Sequence, residues 1–209
     1  MSLIQVRDLT FCHEGSLEPL FDHVSLQLDT SWKLALISRN GRGKTTFLRL
    51  LCGDFPYQGS IDASVAFDYF PPPVPEPDAL ALQVARRAIA PFDAWEAEME
   101  SCLARGDEAS LTRYGTLLER MLRHEGYQID ELIARETGKL GLSPKALNRP
   151  FSTLSHGERA KLLIAALFLR KNAFLLIDEP TDHLDMEGRA ALQAYLSGKQ
   201  GFLLVSHDR

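Results

Sequence analysis

A glycine-bearing segment between an apolar run and a helical pattern constrains this chain more than any other feature. Residues 38–46 read Ser-Arg-Asn-Gly-Arg-Gly-Lys-Thr-Thr and fit the pattern G-x-x-x-x-G-K-[ST] except at the first position, where Ser38 stands. The apolar run 33–37 precedes this segment, and a helical pattern, 47–51, follows it. In a strand–loop–helix unit of this kind, backbone amides and the helix N-terminus bind phosphate oxygens. The sequence therefore predicts a phosphate-binding loop, here called the phosphate loop, in an α/β fold.

The residues of the phosphate loop have separate predicted tasks. Lys44 is predicted to reach the terminal phosphates of a nucleotide, and the Thr45 hydroxyl is predicted to bind magnesium. A surface turn is the alternative interpretation of a short Gly-Lys-Thr run, and the flanking strand and helix favour the phosphate loop. The predicted nucleotide-binding residues of the loop are Ser38, Arg39, Asn40, Gly41, Arg42, Gly43, Lys44, Thr45 and Thr46.

Two adjacent carboxylates follow a strongly apolar strand later in the chain. Asp178 and Glu179 come directly after the run 174–177, where two acids would be costly to bury without partners. On the functional interpretation Asp178 is a magnesium ligand, acting through water, and Glu179 polarises the water that attacks the γ-phosphate. The alternative is a strand that ends at the surface with solvated acids. The phosphate loop favours the functional interpretation.

Strand and helix patterns predict an α/β core with a helical insertion. The runs 174–177 and 202–205 are continuously apolar, as in strands buried on both faces of a parallel sheet. Helical spacing over 79–142 predicts three or four helices, after a proline-rich connector at 71–77. Further strands are predicted at 4–9, 24–28, 33–37, around 61 as part of a short strand pair, and at 65–69. We expect three parts: an N-terminal β part with the phosphate loop at 1–78, a helical subdomain at 79–142, and the remaining half of the core at 143–209.

Charge and cysteine usage exclude several function classes. The chain has 209 residues and a net charge of -5, which argues against the broad basic surface of non-specific nucleic-acid binding proteins. No apolar run is long enough to cross a membrane, and no signal-peptide pattern opens the chain. The three cysteines are widely spaced without a metal-like pairing, so we expect reduced thiols in a cytoplasmic protein.

Two further segments complete an ordered set of motifs. Residues 154–158, Leu-Ser-His-Gly-Glu, here called the signature segment, precede Asp178, and Ser206-His207-Asp208 closes the next strand. With the phosphate loop, this set resembles the ATP-binding-cassette superfamily over essentially the whole chain. The resemblance implies a P-loop ATPase core whose cassettes pair head to tail, with ATP between one phosphate loop and the opposite signature segment. It also implies Glu179 and His207 as catalytic residues. The other nucleotide contacts that it implies are Ser155, Gly157 and Glu158, with His13 or Phe11 stacking on adenine.

The sequence around Glu179 resembles that of a narrower group within this superfamily. Residues 178–185 read Asp-Glu-Pro-Thr-Asp-His-Leu-Asp, and His183 with the run 206–209 resembles the ABC-F group rather than transporter cassettes. The segments 29–34 and 69–71 resemble its ribosome-protection and antibiotic-resistance branch. This resemblance implies a cytoplasmic ATPase that binds ATP and Mg²⁺, pairs with a second cassette, does not insert into membranes, and acts on the ribosome. An ATP-binding subunit of a transporter, or a regulatory nucleotide-binding module with little turnover, remains an alternative.

Four positions depart from the family pattern. Pro72 stands where the family has a glutamine that contacts magnesium, and His156 replaces the first glycine of the signature segment. Ser38 and Asp182 are milder departures, Asp182 replacing an asparagine. We therefore expect slow or conditional hydrolysis. Because the last strand normally continues into a covering helix, we also expect the polypeptide to continue past Arg209 into a second cassette.

Overall fold

The computed structural model describes residues 2–38, 41–182 and 184–207. Its strands are β1 (Leu3–Phe11), β2 (Phe21–Asp29), β3 (Lys33–Ile37), β4 (Gln58–Ala63), β5 (Ala66–Phe70), β6 (Ala173–Asp178) and β7 (Phe202–Ser206). Its α-helices are α1 (Lys44–Cys52), α2 (Ala81–Ile89), α3 (Phe92–Arg105), α4 (Glu108–Arg123), α5 (Ile129–Lys139), α6 (His156–Phe168) and α7 (Met186–Ser197). Short 3₁₀ turns lie at Gly126–Gln128, Pro144–Asn148 and Phe151–Thr153.

The described strands form two sheets. The first is parallel, in the order β3-β7-β6-β5, and the second is antiparallel, in the order β2-β1-β4. The predicted α/β core, with a parallel sheet, an N-terminal antiparallel part and helices inserted between β5 and β6, is confirmed. The two short strands expected near Ile61 and at 65–69 do not pair with each other. Instead, β4 pairs with β1 and β5 pairs with β6.

The chain divides into two compact units. The first comprises residues 1–72, 172–183 and 193–209, and the second comprises 73–171 and 184–192. In the first unit, Leu48 and Leu50 of α1 share one apolar core with Phe174 and Leu176 of β6 and Val205 of β7. Because β3, β6 and β7 are parallel, the segments that follow them leave the sheet at the same edge. This edge carries the phosphate loop, Glu179 and His207.

The second unit contains the predicted helices. Four α-helices, α2–α5, occupy the segment predicted to be helical, and α6 packs against α2 and α5. Arg86 of α2 joins three elements, because its guanidinium lies 3.4 Å from Asp93 and 2.9 Å from Glu96 on α3 and 2.8 Å from Asp130 on α5. Arg86 is therefore committed to ion pairs within the unit.

The chain enters and leaves these helices at neighbouring points. Leu80 forms an antiparallel bridge with Pro150. The Ala81 N–H donates to the Arg149 carbonyl at 2.9 Å, and the Phe151 N–H donates to the Ala79 carbonyl at 2.9 Å. The two connecting segments, 77–81 and 149–152, are thus hydrogen-bonded side by side. We call this pairing the backbone clip.

None of the described helices combines the length and apolarity that a membrane span requires. The three cysteines are free thiols: Cys12 is exposed, Cys52 half-buried and Cys102 buried. Burial raises the pKa of the Cys52 thiol to about 11, so this thiol stays protonated near neutral pH.

The centre of the parallel sheet should dominate the stability of the first unit. We expect Leu176→Ala to lower the free energy of unfolding by about 2–5 kcal/mol, because Leu176 is fully buried on a strand paired on both sides. Urea unfolding followed by circular dichroism measures the change. Leu17→Ala is the matched control, since Leu17 is fully exposed and its loss should change stability by about 0.5 kcal/mol at most. Equal losses for the two variants would contradict the core assignment.

Candidate functional site

A cleft of ≈ 490 Å³ opens at the carboxyl edge of the parallel sheet, within the first unit. It brings together residues from β1's end, the phosphate loop, the end of β6 and the end of β7. Its lining residues are His13, Leu20, Gly41, Gly43, Lys44, Thr45, Thr46, Glu179, Asp182 and His207.

Backbone geometry explains the glycine before the loop lysine. Gly43 has a φ of 82°, in the left-handed region that favours glycine, and it caps the N-terminus of α1. A Cβ built on Gly43 would also lie 3.0 Å from the Leu20 side chain. The first turn of α1 contains no acidic residue, so its free amides present uncompensated positive potential to the cleft. This helix end is suited to a phosphate.

Lys44 is buried beside the loop that precedes it. Its Nζ donates to the Ser38 carbonyl at 2.8 Å and lies 3.8 Å from Glu179 Oε1. A serine at position 38 costs this contact nothing, because the backbone carbonyl makes it. The ammonium is thus held at the floor of the cleft.

Glu179 is fixed by its backbone and by two neighbours. Its φ of 44° lies in the left-handed region, and its N–H donates to the Val205 carbonyl at 3.0 Å. Glu179 Oε2 accepts the His207 backbone N–H at 3.1 Å and lies 2.9 Å from His207 Nδ1. The carboxylate therefore lies between an ammonium and an imidazole, in a backbone conformation that costs of order 1–3 kcal/mol and that clusters at functional sites.

Of the two carboxylate oxygens of Asp178, one accepts a hydrogen bond and the other has no hydrogen bond from a described residue. Tyr69 donates its hydroxyl to Asp178 Oδ2 at 2.7 Å. Asp178 Oδ1 is buried and makes no hydrogen bond to any residue within 2–38, 41–182 or 184–207. The pKa of Tyr69 is raised to about 12, mainly because the hydroxyl is removed from water and secondly because it donates this hydrogen bond to Asp178. A buried carboxylate oxygen without a donor suits a hard cation or its water, so the residues present fit magnesium.

Asp182 was not predicted as a neighbour of the catalytic groups. One oxygen of Glu179, one of Asp182 and one ring nitrogen of His207 lie within 4.8 Å of one another. The sequence showed Asp182 only as a departure from a family pattern. Leu20, which forms one wall of the cleft beside Gly43, carried no signal at all because it is an ordinary apolar residue of the β1–β2 connection.

The structure separates the two candidates for the adenine contact. Phe11 is buried, whereas His13 is exposed and lines the cleft. The His13 ring packs edge-on against Phe11 at 4.9 Å between centroids. Of these two rings, His13 is therefore the one available for stacking on a base.

The signature segment begins helix α6 in the second unit. Ser155 caps this helix: its Oγ accepts the Glu158 N–H at 3.2 Å, and Glu158 Oε2 accepts the Ser155 N–H at 2.8 Å. This reciprocal capping box is the local reason why the helix starts here. His156 and Gly157 occupy its first turn.

Some predicted positions fall outside the described residues: Arg39, Asn40, His183, Asp208 and Arg209. Arg42 is exposed and Thr46 is half-buried in the cleft wall.

Comparisons with known proteins match most of the chain. A family model described as ABC transporter matches residues 21–182. YfmM, an ABC transporter ATP-binding protein of Bacillus subtilis, is 32% identical over 100% of this chain and 42% of its own length. The tylosin resistance ATP-binding protein TlrC of Streptomyces fradiae is 35% identical over 91% of this chain and 37% of its own length. The ABC transporter F family member 4 of Arabidopsis thaliana is 28% identical over 99% of this chain and 25% of its own length.

Solved structures share the fold. A bacterial ABC transporter cassette, solved as a dimer, superposes with a TM-score of 0.67 at 15% identity and covers 98% of this chain and 88% of that one. The chain spans less than half the length of the three relatives described above. Because the family model covers both the phosphate loop and the Asp178-Glu179 pair, the chain belongs to the ABC transporter family of ATP-binding cassettes.

Proposed function

We propose that this chain is an ATP-hydrolysing cassette of the ABC-F type, which couples cassette closure to action on the ribosome. ABC cassettes as a family bind ATP, act as ATPases and form dimers. The observation that carries the proposal is the meeting of Lys44, Glu179 and His207 in one cleft beside the phosphate loop. The names of two relatives, a tylosin resistance protein and an F family member, support the narrower assignment.

The phosphate loop performs the binding step. The amide N–H groups at the start of α1 donate hydrogen bonds to the phosphate oxygens, and Lys44 exchanges its contact with the Ser38 carbonyl for the terminal phosphates. His13 provides a flat surface for the adenine ring. The remaining proposed nucleotide contacts are the phosphate-loop residues 38–46.

Glu179 and His207 perform the chemical step. With Lys44 engaged on phosphate, Glu179 loses its ammonium neighbour, and its carboxylate becomes available to polarise the attacking water. His207, already beside Glu179, would contact the γ-phosphate through an imidazole N–H. The contact between Glu179 and His207 thus holds the proposed general base next to the side chain that would contact the γ-phosphate.

Asp178 and Thr45 would hold Mg²⁺. Asp178 contributes its unbonded Oδ1, and Thr45 contributes its hydroxyl from the first turn of α1. When bound, Mg²⁺ neutralises charge that develops on the phosphoryl oxygens. Pro72 supplies no side-chain oxygen in place of the family glutamine, so we propose slow turnover in the isolated chain.

A complete site would require a second cassette. Ser155, Gly157 and Glu158 would bind the γ-phosphate of a nucleotide held by the partner's phosphate loop, as the family resemblance implies. We retain the division at 1–78, 79–142 and 143–209 as the proposed functional organisation of the cassette. The proposed location is the cytoplasm, where ribosomes and ATP are both present.

Sedimentation with ribosomes tests the ribosome assignment. We expect the Glu179→Gln chain to pellet with purified 70S ribosomes in the presence of ATP and Mg²⁺ and to remain in the supernatant without nucleotide, because closure would persist when hydrolysis is blocked. The Lys44→Ala chain is the control that should stay in the supernatant under both conditions. A chain that stays in the supernatant with purified ribosomes but copurifies with a membrane subunit would favour the transporter alternative, and nucleotide binding with neither partner would favour the regulatory module.

A further inference from the structure

We propose that Tyr69 is a positioning residue that orients the Asp178 carboxylate for magnesium. This inference rests on the proposed function, since it concerns the metal that accompanies ATP in the same cleft. It adds a residue that precedes the prolines of the connector and lies outside the cleft lining.

The hydrogen-bond pattern of Asp178 carries the first step. A carboxylate can rotate about its Cβ–Cγ bond and exchange its two oxygens unless one of them is held. Tyr69 holds Oδ2 at 2.7 Å, and Oδ1 is left buried without a hydrogen bond from any described residue. Tyr69 thus decides which oxygen is presented to an incoming cation.

Strand register places Tyr69 where it can do this. In the β5–β6 pair, Tyr69 lies opposite Leu176 and Phe70 lies opposite Ile177. Tyr69 is therefore level with a residue that comes before Asp178 in β6, on the N-terminal side of the carboxylate. A tyrosine is long enough to reach forward from this position to the carboxylate. A phenylalanine would fill the same volume without the donor.

A second contact ties Tyr69 to the phosphate-loop helix. The Arg49 guanidinium covers the Tyr69 ring, 4.0 Å from its centroid, and is itself paired with Asp54 at 2.9 Å. Arg49 and Thr45 both belong to α1. Tyr69 therefore connects the helix that carries one proposed magnesium ligand with the strand that carries the other.

The chemistry of Mg²⁺ makes such a connection consequential. Mg²⁺ demands near-ideal octahedral geometry, so a ligand that turns freely binds it poorly. Groups that orient metal ligands through hydrogen bonds typically change metal affinity by about 10–100-fold when they are removed. The same role cannot be filled by Pro72, which lacks a side-chain donor or acceptor.

Magnesium-dependent binding of a fluorescent nucleotide tests the inference. We expect Tyr69→Phe to raise the Mg²⁺ concentration required for half-maximal MANT-ATP binding by about 10-fold, and to change MANT-ATP affinity in EDTA by about twofold at most. Tyr57→Phe is the matched control, because Tyr57 belongs to the same apolar core and its hydroxyl has no hydrogen bond within the described part of the chain. The Tyr57→Phe midpoint should equal that of the unsubstituted chain.

A double-variant cycle separates positioning from general destabilisation. In an Asp178→Asn background, Tyr69→Phe should produce no further shift of the Mg²⁺ midpoint, since the group it orients is gone. Arg49→Gln, which leaves the tyrosine hydroxyl in place, should raise the midpoint by about threefold and serves as the second variant if Tyr69→Phe does not fold.

The outcomes distinguish this inference from the function on which it rests. A Tyr69→Phe midpoint equal to that of Tyr57→Phe, or fully additive shifts in the cycle, would overturn the positioning role and leave ATP binding intact. Failure of the unsubstituted chain to bind MANT-ATP at any Mg²⁺ concentration would overturn both proposals together.

Discussion

Glu179→Gln is expected to lower ATP turnover by about 100-fold or more while leaving ATP affinity within about twofold of the unsubstituted chain. The carboxylate acts on the attacking water and contributes mainly in the transition state, whereas glutamine keeps the size of the side chain and can no longer accept a proton. Phosphate release measures turnover, and MANT-ATP fluorescence measures affinity.

The matched control is Glu187→Gln, the same substitution at an exposed position in the first turn of α7. It should leave phosphate release unchanged. Turnover by the Glu179→Gln chain at the rate of the Glu187→Gln chain would remove Glu179 from the mechanism.

The second large effect is expected at the lysine of the phosphate loop. Lys44→Ala should weaken ATP binding by about 100-fold or more, because truncating one partner of a buried charged contact costs roughly 2–5 kcal/mol and each 1.4 kcal/mol or so is tenfold. Lys44 is buried, so its truncation removes a cation that is already shielded from water. Isothermal titration with ATP and Mg²⁺ measures the loss.

Lys145→Ala, an exposed lysine in the 3₁₀ turn before the signature segment, provides the control and should bind ATP normally. Circular dichroism of both variants separates a binding defect from unfolding, since Lys44 also lies near Glu179. Unchanged ATP affinity in a folded Lys44→Ala chain would refute the assignment of residues 38–46 as a phosphate loop.

The sequence predicted the parallel sheet well because its strands are continuous apolar runs. The runs 174–177 and 202–205 became β6 and β7, which lie side by side at the centre of the sheet. The same local patterns said nothing of partners for the weaker strands. β4 and β5 follow each other closely in the chain and join different sheets, because strand order depends on tertiary packing that period-two patterning does not encode.

Side-chain contacts across the sheet were the least predictable part of the candidate site. The motif pattern brought Lys44, Glu179 and His207 into one proposed cleft, and the contacts among them follow from the shared carboxyl edge of three parallel strands. The hydrogen bond from Tyr69 to Asp178 depends on the register between β5 and β6 and on the reach of one side chain. No spacing in the linear sequence reports either quantity.

The backbone clip at Leu80 and Pro150 has a consequence for how this family of chains can vary. The chain enters and leaves the helices α2–α5 through one hydrogen-bonded pair of segments. The helices therefore form an insertion whose two ends are held next to each other by this pairing. The entropic cost of closing such an insertion rises only with the logarithm of the number of residues in it. Helices α3 and α4 can therefore be extended, shortened or exchanged without a new path for the backbone on either side, which makes this segment a natural place for a cassette to acquire a different attachment.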